Sequence, residues 1–105
     1  MQHITPSQLR ERLQHTPPPL LLDVREPHEF GHCNLKGSRN IPMQTIARRL
    51  DELDADADIV VICHHGMRSQ QVADFLEQRG FRLVSNLSGG LDAWAKEVDP
   101  SMPRY

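Results

Sequence analysis

Two continuous apolar runs constrain the fold of this 105-residue chain more than any other feature of its sequence. Leu20–Val24 reads "LLLDV" and is continuously apolar before Asp23, and Ile59–Cys63 reads "IVVIC". Apolar and polar residues do not alternate in these runs, which predicts strands that are buried on both faces. Strands of this kind occur in parallel sheets whose two faces are covered by helices. We therefore expect an α/β fold built on a mostly parallel sheet.

Helix-like segments separate the predicted strands. Thr5 precedes Pro6 at a predicted helix start, and Leu9 and Leu13 then lie on one face of that helix. Similar patterns predict helices within residues 43–53, 69–80 and 88–98, a further strand within residues 81–87, and a C-terminal tail at residues 99–105. The regular alternation of strand and helix indicates a single domain over residues 1–105.

Composition and charge argue against several classes of function. The net charge is −2 with mixed signs, so nothing indicates a nucleic-acid or membrane partner. No run approaches the roughly 18 apolar residues of a transmembrane helix, and residues 1–10 lack the apolar segment of a signal peptide. Cys33 and Cys63 are too few for a disulfide framework. We expect a cytoplasmic protein with free thiols.

Cys63 ends the second apolar run, and the residues after it predict a site for a small anion. In parallel sheets, ligands bind beyond the carboxyl ends of the strands, which is where Cys63 is expected. Gly66 permits a tight loop, and such a loop entering a helix directs backbone N–H groups at one point. Those donors stabilise a thiolate or an oxyanion, and Arg68 adds positive charge. The pattern predicts a cysteine nucleophile, although a cysteine ending a strand can also be a buried apolar residue.

Four motifs in this sequence resemble those of single-domain rhodaneses and occur in the same order. They are "LLDVREPHEF", "GSRNIP", "CHHGMRS" and "LSGGLDAW", and they lie within residues 20–94. The resemblance implies the rhodanese fold, a parallel sheet of about five strands flanked by helices. It also implies sulfurtransferase chemistry that uses no metal and no organic cofactor.

The resemblance also assigns roles to individual residues. Cys63 corresponds to the cysteine that carries the persulfide. The substrate-binding loop around it is formed by His64, His65, Gly66, Met67 and Arg68. Supporting positions are Asp23, Arg25 and Ser69, and the glycines that let the last helix begin tightly are Gly89 and Gly90. Asn34 departs from the family pattern, because relatives usually have histidine there.

The spacing of Cys63 and Arg68 separates the predicted chemistry from phosphate transfer. Cysteine-dependent phosphatases have a C-x5-R loop, whereas here Ser69 occupies that arginine position and Arg68 comes one residue sooner. A shorter loop is expected to fit a single sulfur atom rather than a phosphoryl group. The sequence therefore favours sulfur transfer from thiosulfate or a related persulfide donor, through Cys63, to a thiol or protein-cysteine acceptor.

Some interpretations remain open on the sequence alone. The chain could instead be a non-catalytic rhodanese-like module that binds a partner or senses oxidants, although retention of Cys63 and Arg68 favours catalysis. His64 and His65 could tune the thiolate or simply fill the loop, and as adjacent residues they have poor geometry for binding a metal together with Cys63. Arg25 could brace the structure or contact substrate.

Overall fold

Five parallel strands form one sheet with helices on both faces, which confirms the predicted α/β fold. The computed structural model describes residues 1–104. The strands are β1 Gln2–Ile4, β2 Leu20–Asp23, β3 Arg39–Asn40, β4 Asp58–Ile62 and β5 Leu83–Leu87. Their spatial order is β1-β5-β4-β2-β3, and every neighbouring pair is parallel. All five carboxyl ends therefore lie at the same edge of the sheet.

The helices lie between the strands along the chain. They are α1 Pro6–Arg12, α2 Pro27–His32, α3 Met67–Gln78 and α4 Gly90–Glu97, with two short 3₁₀ helices at Met43–Arg48 and Leu50–Glu52. The single helix predicted within residues 43–53 was wrong, because Arg49 adopts φ −120° and interrupts the helical backbone. Ile46 and Leu53 nevertheless pack into the same core, which accounts for the helix-like spacing of the apolar residues.

The central strand β4 divides the apolar core into two layers. Successive side chains of a strand point to opposite faces of the sheet. Ile59 and Val61 accordingly pack on the face covered by α3 and the 3₁₀ helices, while Val60 and Ile62 pack on the opposite face with α1 and α4. All four are fully buried. The absence of polar alternation in this run thus reflects a strand buried from both sides.

The N-terminal segment contributes a strand that the sequence did not predict. The strand β1 is only three residues long, and Ile4 is its one buried residue, so it carries almost no pattern. It pairs with β5 and places His3 beside Asn86. The helix α1 follows as predicted: Thr5 and Gln8 form a reciprocal capping box, in which each side chain accepts the other residue's backbone N–H.

The C-terminal tail folds back on the domain as far as it is described. Met102 packs against the core layer of α1 and α4, and the Arg104 guanidinium donates to the Asp92 carboxylate at 3.0 Å. Tyr105, the last residue of the predicted tail, lies outside the described residues. Within residues 1–104, every helix is too short or too polar to cross a lipid bilayer.

Candidate active site

Cys63 is the first residue after β4, and the loop that follows folds back onto its sulfur. Gly66 adopts φ +95° and ends the loop where α3 begins, a left-handed conformation that favours glycine. The Cys63 Sγ accepts backbone N–H groups from Gly66 at 3.0 Å and from Ser69 at 3.3 Å. Cys63 itself is 1% exposed. The loop therefore directs donors at a buried sulfur, as its sequence pattern predicts.

The start of α4 holds this loop from the opposite side. Leu91 N–H donates to the Cys63 carbonyl at 2.9 Å, and Asp92 N–H donates to the His64 carbonyl at 3.0 Å. This contact requires a glycine at position 90, since a Cβ atom there would lie 2.4 Å from both carbonyl oxygens. The glycine motif before Leu91 thus positions the cysteine loop as well as starting a helix.

The Ser69 side chain links Cys63 to a polar residue on the neighbouring strand. Its Oγ lies 3.2 Å from the Cys63 Sγ and donates a hydrogen bond to Asn86 Oδ1. Asn86 Nδ2 in turn donates to the Gly66 carbonyl at 3.2 Å. Ser69 and Asn86 are both buried. Sequence reasoning missed Asn86, because a polar residue near the carboxyl end of a predicted strand indicates a site only when the neighbouring strands are known.

Arg68 forms a two-pronged ion pair with Glu29 of α2. Arg68 Nη1 and Nη2 donate to the two carboxylate oxygens of Glu29 at 2.7 and 2.9 Å. The Glu29 side chain is 14% exposed and that of Arg68 is 36% exposed. Sequence reasoning did not single out Glu29, because no local pattern links α2 to the start of α3. An anionic substrate that approaches Arg68 must compete with this carboxylate.

Asp23 and Arg25 form a buried ion pair at the carboxyl end of β2. Arg25 Nη2 lies 2.7 Å from Asp23 Oδ2, and both side chains are almost completely excluded from solvent. The guanidinium also donates to the Glu29 carbonyl at 3.2 Å and to the Cys33 carbonyl at 2.6 Å. These contacts connect β2 to the middle of α2 and to its C-cap residue, so Arg25 supports the element that carries Glu29.

Comparison with known proteins assigns this arrangement to a family. The Rhodanese-like domain profile matches residues 5–97. The chain belongs to the rhodanese-like domain family. A crystal structure of a rhodanese-like domain protein from Staphylococcus aureus superposes with a TM-score of 0.86 at 31% identity, covering 93% of this chain and 95% of that one. The implied rhodanese fold is therefore confirmed.

Its relatives include both short and much longer proteins. The thiosulfate sulfurtransferase GlpE of Pseudomonas aeruginosa is 36% identical, with 89% of this chain and 83% of GlpE aligned. The adenylyltransferase and sulfurtransferase MOCS3-1 of Zea mays is 37% identical over 84% of this chain, but the alignment covers only 20% of the maize protein. The chain is therefore similar to short proteins named as sulfurtransferases and also to a small part of much longer relatives.

Two histidines and an aspartate lie together at the rim of the rhodanese-like domain. The His64 and His65 rings are 4.0 Å apart in an edge-to-face arrangement, and one ligand atom from each of His64, His65 and Asp92 lies within 4.8 Å of the others. The Asp92 carboxylate also faces Lys96 at 3.4 Å and Arg104 at 3.0 Å. A metal cation would have to compete with those two charges for the Asp92 carboxylate, and the expectation that the protein uses no metal stays a prediction.

The environment of His64 favours its neutral form. Burial lowers the pKa of the His64 imidazole below its ordinary value, and His65 and Arg25 lower it further, against the opposing effect of the Asp92 and Glu29 carboxylates. His64 is therefore harder to protonate than a histidine in water. Met67, the remaining predicted loop residue, begins α3 and is 73% exposed at the rim.

Proposed function

We propose that this rhodanese-like domain is a sulfurtransferase that carries a sulfane sulfur on Cys63. The observation that supports this most directly is the Cys63 Sγ itself, which accepts two backbone N–H groups from a loop closed by Gly66. Such donors stabilise a thiolate and, once sulfur has been added, a persulfide anion. The named relatives that align over most of their length support the same class of reaction.

The first half-reaction loads the cysteine. The Cys63 thiolate attacks the outer sulfur of thiosulfate or of a related persulfide donor. A new S–S bond forms, the sulfur–sulfur bond of the donor breaks, and its electron pair leaves with sulfite or with the donor thiolate. The charge of the resulting persulfide then lies on the outer sulfur, within the same loop.

The second half-reaction passes the outer sulfur to a thiophilic acceptor. Cyanide serves in an assay, and we propose a thiol or a protein cysteine as the natural acceptor. The acceptor attacks the outer sulfur, and the electron pair of the breaking S–S bond returns to Cys63 as a thiolate. With a thiol acceptor, each step uses only sulfur nucleophiles and leaving groups, so the proposed cycle includes neither a metal nor an organic cofactor.

A reducing compartment suits this cycle. Cys33 and Cys63 are both free and buried, and free thiols persist where disulfides are kept reduced. We therefore propose a cytoplasmic location, with a small sulfur-donor anion and a thiol as partners and with no role for nucleic acid or a membrane.

Mass spectrometry of the loaded protein tests the proposal. After incubation with thiosulfate and removal of excess donor, we expect the mass to rise by one sulfur atom, and peptide mapping to place that atom on Cys63. Cys63→Ser should remove the gain and the thiosulfate:cyanide activity. Cys33→Ser is the matched control, since it also replaces a buried free thiol, and it should retain both.

The opposite result would favour the non-catalytic alternative. If the folded wild-type protein gains no sulfur from thiosulfate or from a persulfide donor, the domain is a binding or oxidant-sensing module. If Cys33→Ser loses as much activity as Cys63→Ser while both remain folded, a single-cysteine mechanism is wrong.

A further inference from the structure

A buried chain of hydrogen bonds runs from the Cys63 sulfur into the neighbouring strand. The Cys63 Sγ lies 3.2 Å from Ser69 Oγ, which donates to Asn86 Oδ1, and Asn86 Nδ2 donates to the Gly66 carbonyl at 3.2 Å. Ser69 is fully buried and Asn86 is 2% exposed. Breaking one of these buried hydrogen bonds therefore costs free energy, because bulk water cannot replace the lost partner.

The chemistry of the groups determines which atom donates at each link. A backbone carbonyl can only accept, so the Asn86 amide must turn its NH₂ toward Gly66 and its oxygen toward Ser69. Ser69 then donates its single hydroxyl hydrogen to Asn86. When Cys63 is a thiol, the remaining link must run from the Cys63 S–H to the lone pairs of Ser69 Oγ.

Loss of the thiol proton creates a competition for the Ser69 hydrogen. A thiolate has no hydrogen to donate, so a Ser69 hydroxyl that still points at Asn86 would aim its lone pairs at the anionic sulfur. Rotation about the Ser69 Cβ–Oγ bond directs the hydroxyl hydrogen at the sulfur instead, and a hydrogen bond to an anion is stronger than one to an amide oxygen. That rotation leaves Asn86 Oδ1 without its donor from Ser69.

We propose that the Ser69 hydroxyl is a switched donor whose position is set by Asn86. It donates to Asn86 when Cys63 is a thiol or carries the extra sulfur, and it donates to Cys63 when that sulfur is a thiolate. Asn86 is thus a positioning residue that acts through Ser69. The sulfur-carrying state in this scheme rests on the proposed sulfurtransferase function, whereas the thiol and thiolate states do not.

The switch matters most when the acceptor removes the outer sulfur. The attacking sulfur forms a bond to the outer sulfur, the bond from Cys63 Sγ to that sulfur breaks, and the electron pair stays on Sγ. Negative charge appears at Sγ, and the Ser69 O–H turns from Asn86 to meet it. Ser69 keeps its proton throughout, so the step balances without an additional acid or base.

The thiolate content of Cys63 provides a test that is independent of sulfur transfer. Ultraviolet thiolate absorbance, recorded at one pH in a Cys33→Ser background, reports the ratio of thiolate to thiol. Ser69→Ala should lower that ratio about 2- to 10-fold, the usual effect of one net hydrogen bond. Ser85→Ala is the matched control, because Ser85 is also a buried serine but faces the other side of β5 from Asn86. It should leave the ratio unchanged.

A double-mutant cycle separates a positioning role of Asn86 from a merely structural one. Asn86→Ala removes the competing acceptor, so it should raise the thiolate ratio about 2- to 10-fold when Ser69 is present. In the Ser69→Ala background the same substitution should have no effect. Asn86→Leu, which fills the volume without a polar atom, provides the same comparison if the alanine variant does not fold.

Other patterns would overturn the proposal. If Asn86→Ala lowered the thiolate-to-thiol ratio equally with and without the Ser69 hydroxyl, Asn86 would only anchor the Gly66 carbonyl. A ratio that does not respond to Ser69→Ala would show that the hydroxyl never reaches the thiolate. In single-turnover discharge of the loaded protein to cyanide, Ser69→Ala should be about 10-fold slower or more, since contacts to charged groups are the stronger ones. Failure to load any sulfur would refute the proposed function and leave the absorbance test standing.

Discussion

A single added methyl group at position 90 should damage the site more than the fold. Gly90 adopts φ +61°, and a Cβ atom built there would lie 2.4 Å from the carbonyl oxygens of Cys63 and His64. These neighbours are backbone atoms, so they cannot move aside as a flexible side chain would. Gly90→Ala must therefore push the cysteine loop away from α4 by about an ångström to restore ordinary contact distances.

The loss of folding free energy caused by Gly90→Ala has two parts that can be worked out separately. A left-handed backbone costs a residue with a Cβ atom about 1–2 kcal/mol. Displacement of the loop also weakens the hydrogen bonds from Leu91 and Asp92 to the Cys63 and His64 carbonyls, and an unsatisfied buried group costs about 1–3 kcal/mol. For a domain of this size, each kcal/mol lowers Tm by about 4–8 °C.

Gly37→Ala is the matched control for the backbone part alone. Gly37 adopts φ +83°, but a Cβ atom there would meet nothing within 4 Å. Differential scanning calorimetry and sulfurtransferase rates per folded molecule should therefore separate the two variants. We expect Gly37→Ala to lose stability and keep its activity, whereas Gly90→Ala should lose more stability and up to roughly 100-fold in rate, because reacting groups would be misplaced. Equal Tm and equal rates in the two variants would refute the role assigned to the contact with α4.

Three further changes test the loop itself. Arg68→Ala should reduce kcat/KM for an anionic donor about 10- to 100-fold. Glu29→Gln should lower the KM for thiosulfate, because it removes the competing carboxylate charge. An equal loss of kcat/KM in both variants would mean that the ion pair only braces the loop. One residue inserted between Met67 and Arg68 should slow sulfur transfer by roughly 100-fold with an unchanged circular dichroism spectrum, and wild-type rates would contradict a length-tuned loop. Because the pKa of His64 is lowered by burial, the unfolded chain binds that proton at higher pH than the folded one, so stability should fall as pH drops below about 6.5. Urea titrations at several pH values measure this fall in the free energy of unfolding, and His64→Asn should make it smaller. An unchanged dependence of the free energy on pH in His64→Asn would contradict the prediction.

The parts of the fold that the sequence predicts are those with a strong local pattern. The run at 59–62 is buried on both faces, so its apolar character is continuous and its strand was recognisable. The strand β1 was not recognisable from the sequence, because only Ile4 of its three residues is buried. The helix predicted within residues 43–53 failed for a related reason: spacing reports which side chains face the core, and 3₁₀ segments interrupted at Arg49 satisfy that requirement as well as an α-helix does.

The candidate site divides in the same way. Cys63 and Gly66 lie in one short loop and Arg68 in the first turn of α3, so these three residues are close together in the sequence and their chemistry could be inferred from that local pattern. Glu29 contacts Arg68, 39 positions along the chain, and Asn86 contacts Ser69, 17 positions away. No periodicity in the sequence links Glu29 or Asn86 to the loop. Sequence reasoning therefore identified the residues in and next to the loop and missed Glu29, which pairs with Arg68, and Asn86, which is hydrogen-bonded to Ser69 and Gly66.

Strand order explains why those two partners could not be read from the sequence. The central strand β4 lies between β5 and β2, so the loop after it is flanked by the carboxyl ends of both neighbours. Asn86 reaches Ser69 from the β5 side, and Arg25 supports the α2 segment from the β2 side. Polar residues near the ends of predicted strands become informative only once the neighbours of each strand are known. Given this order, the buried Asn86 connects β5 to the Cys63 sulfur through Ser69, and its exchange for an apolar side chain tests that connection directly.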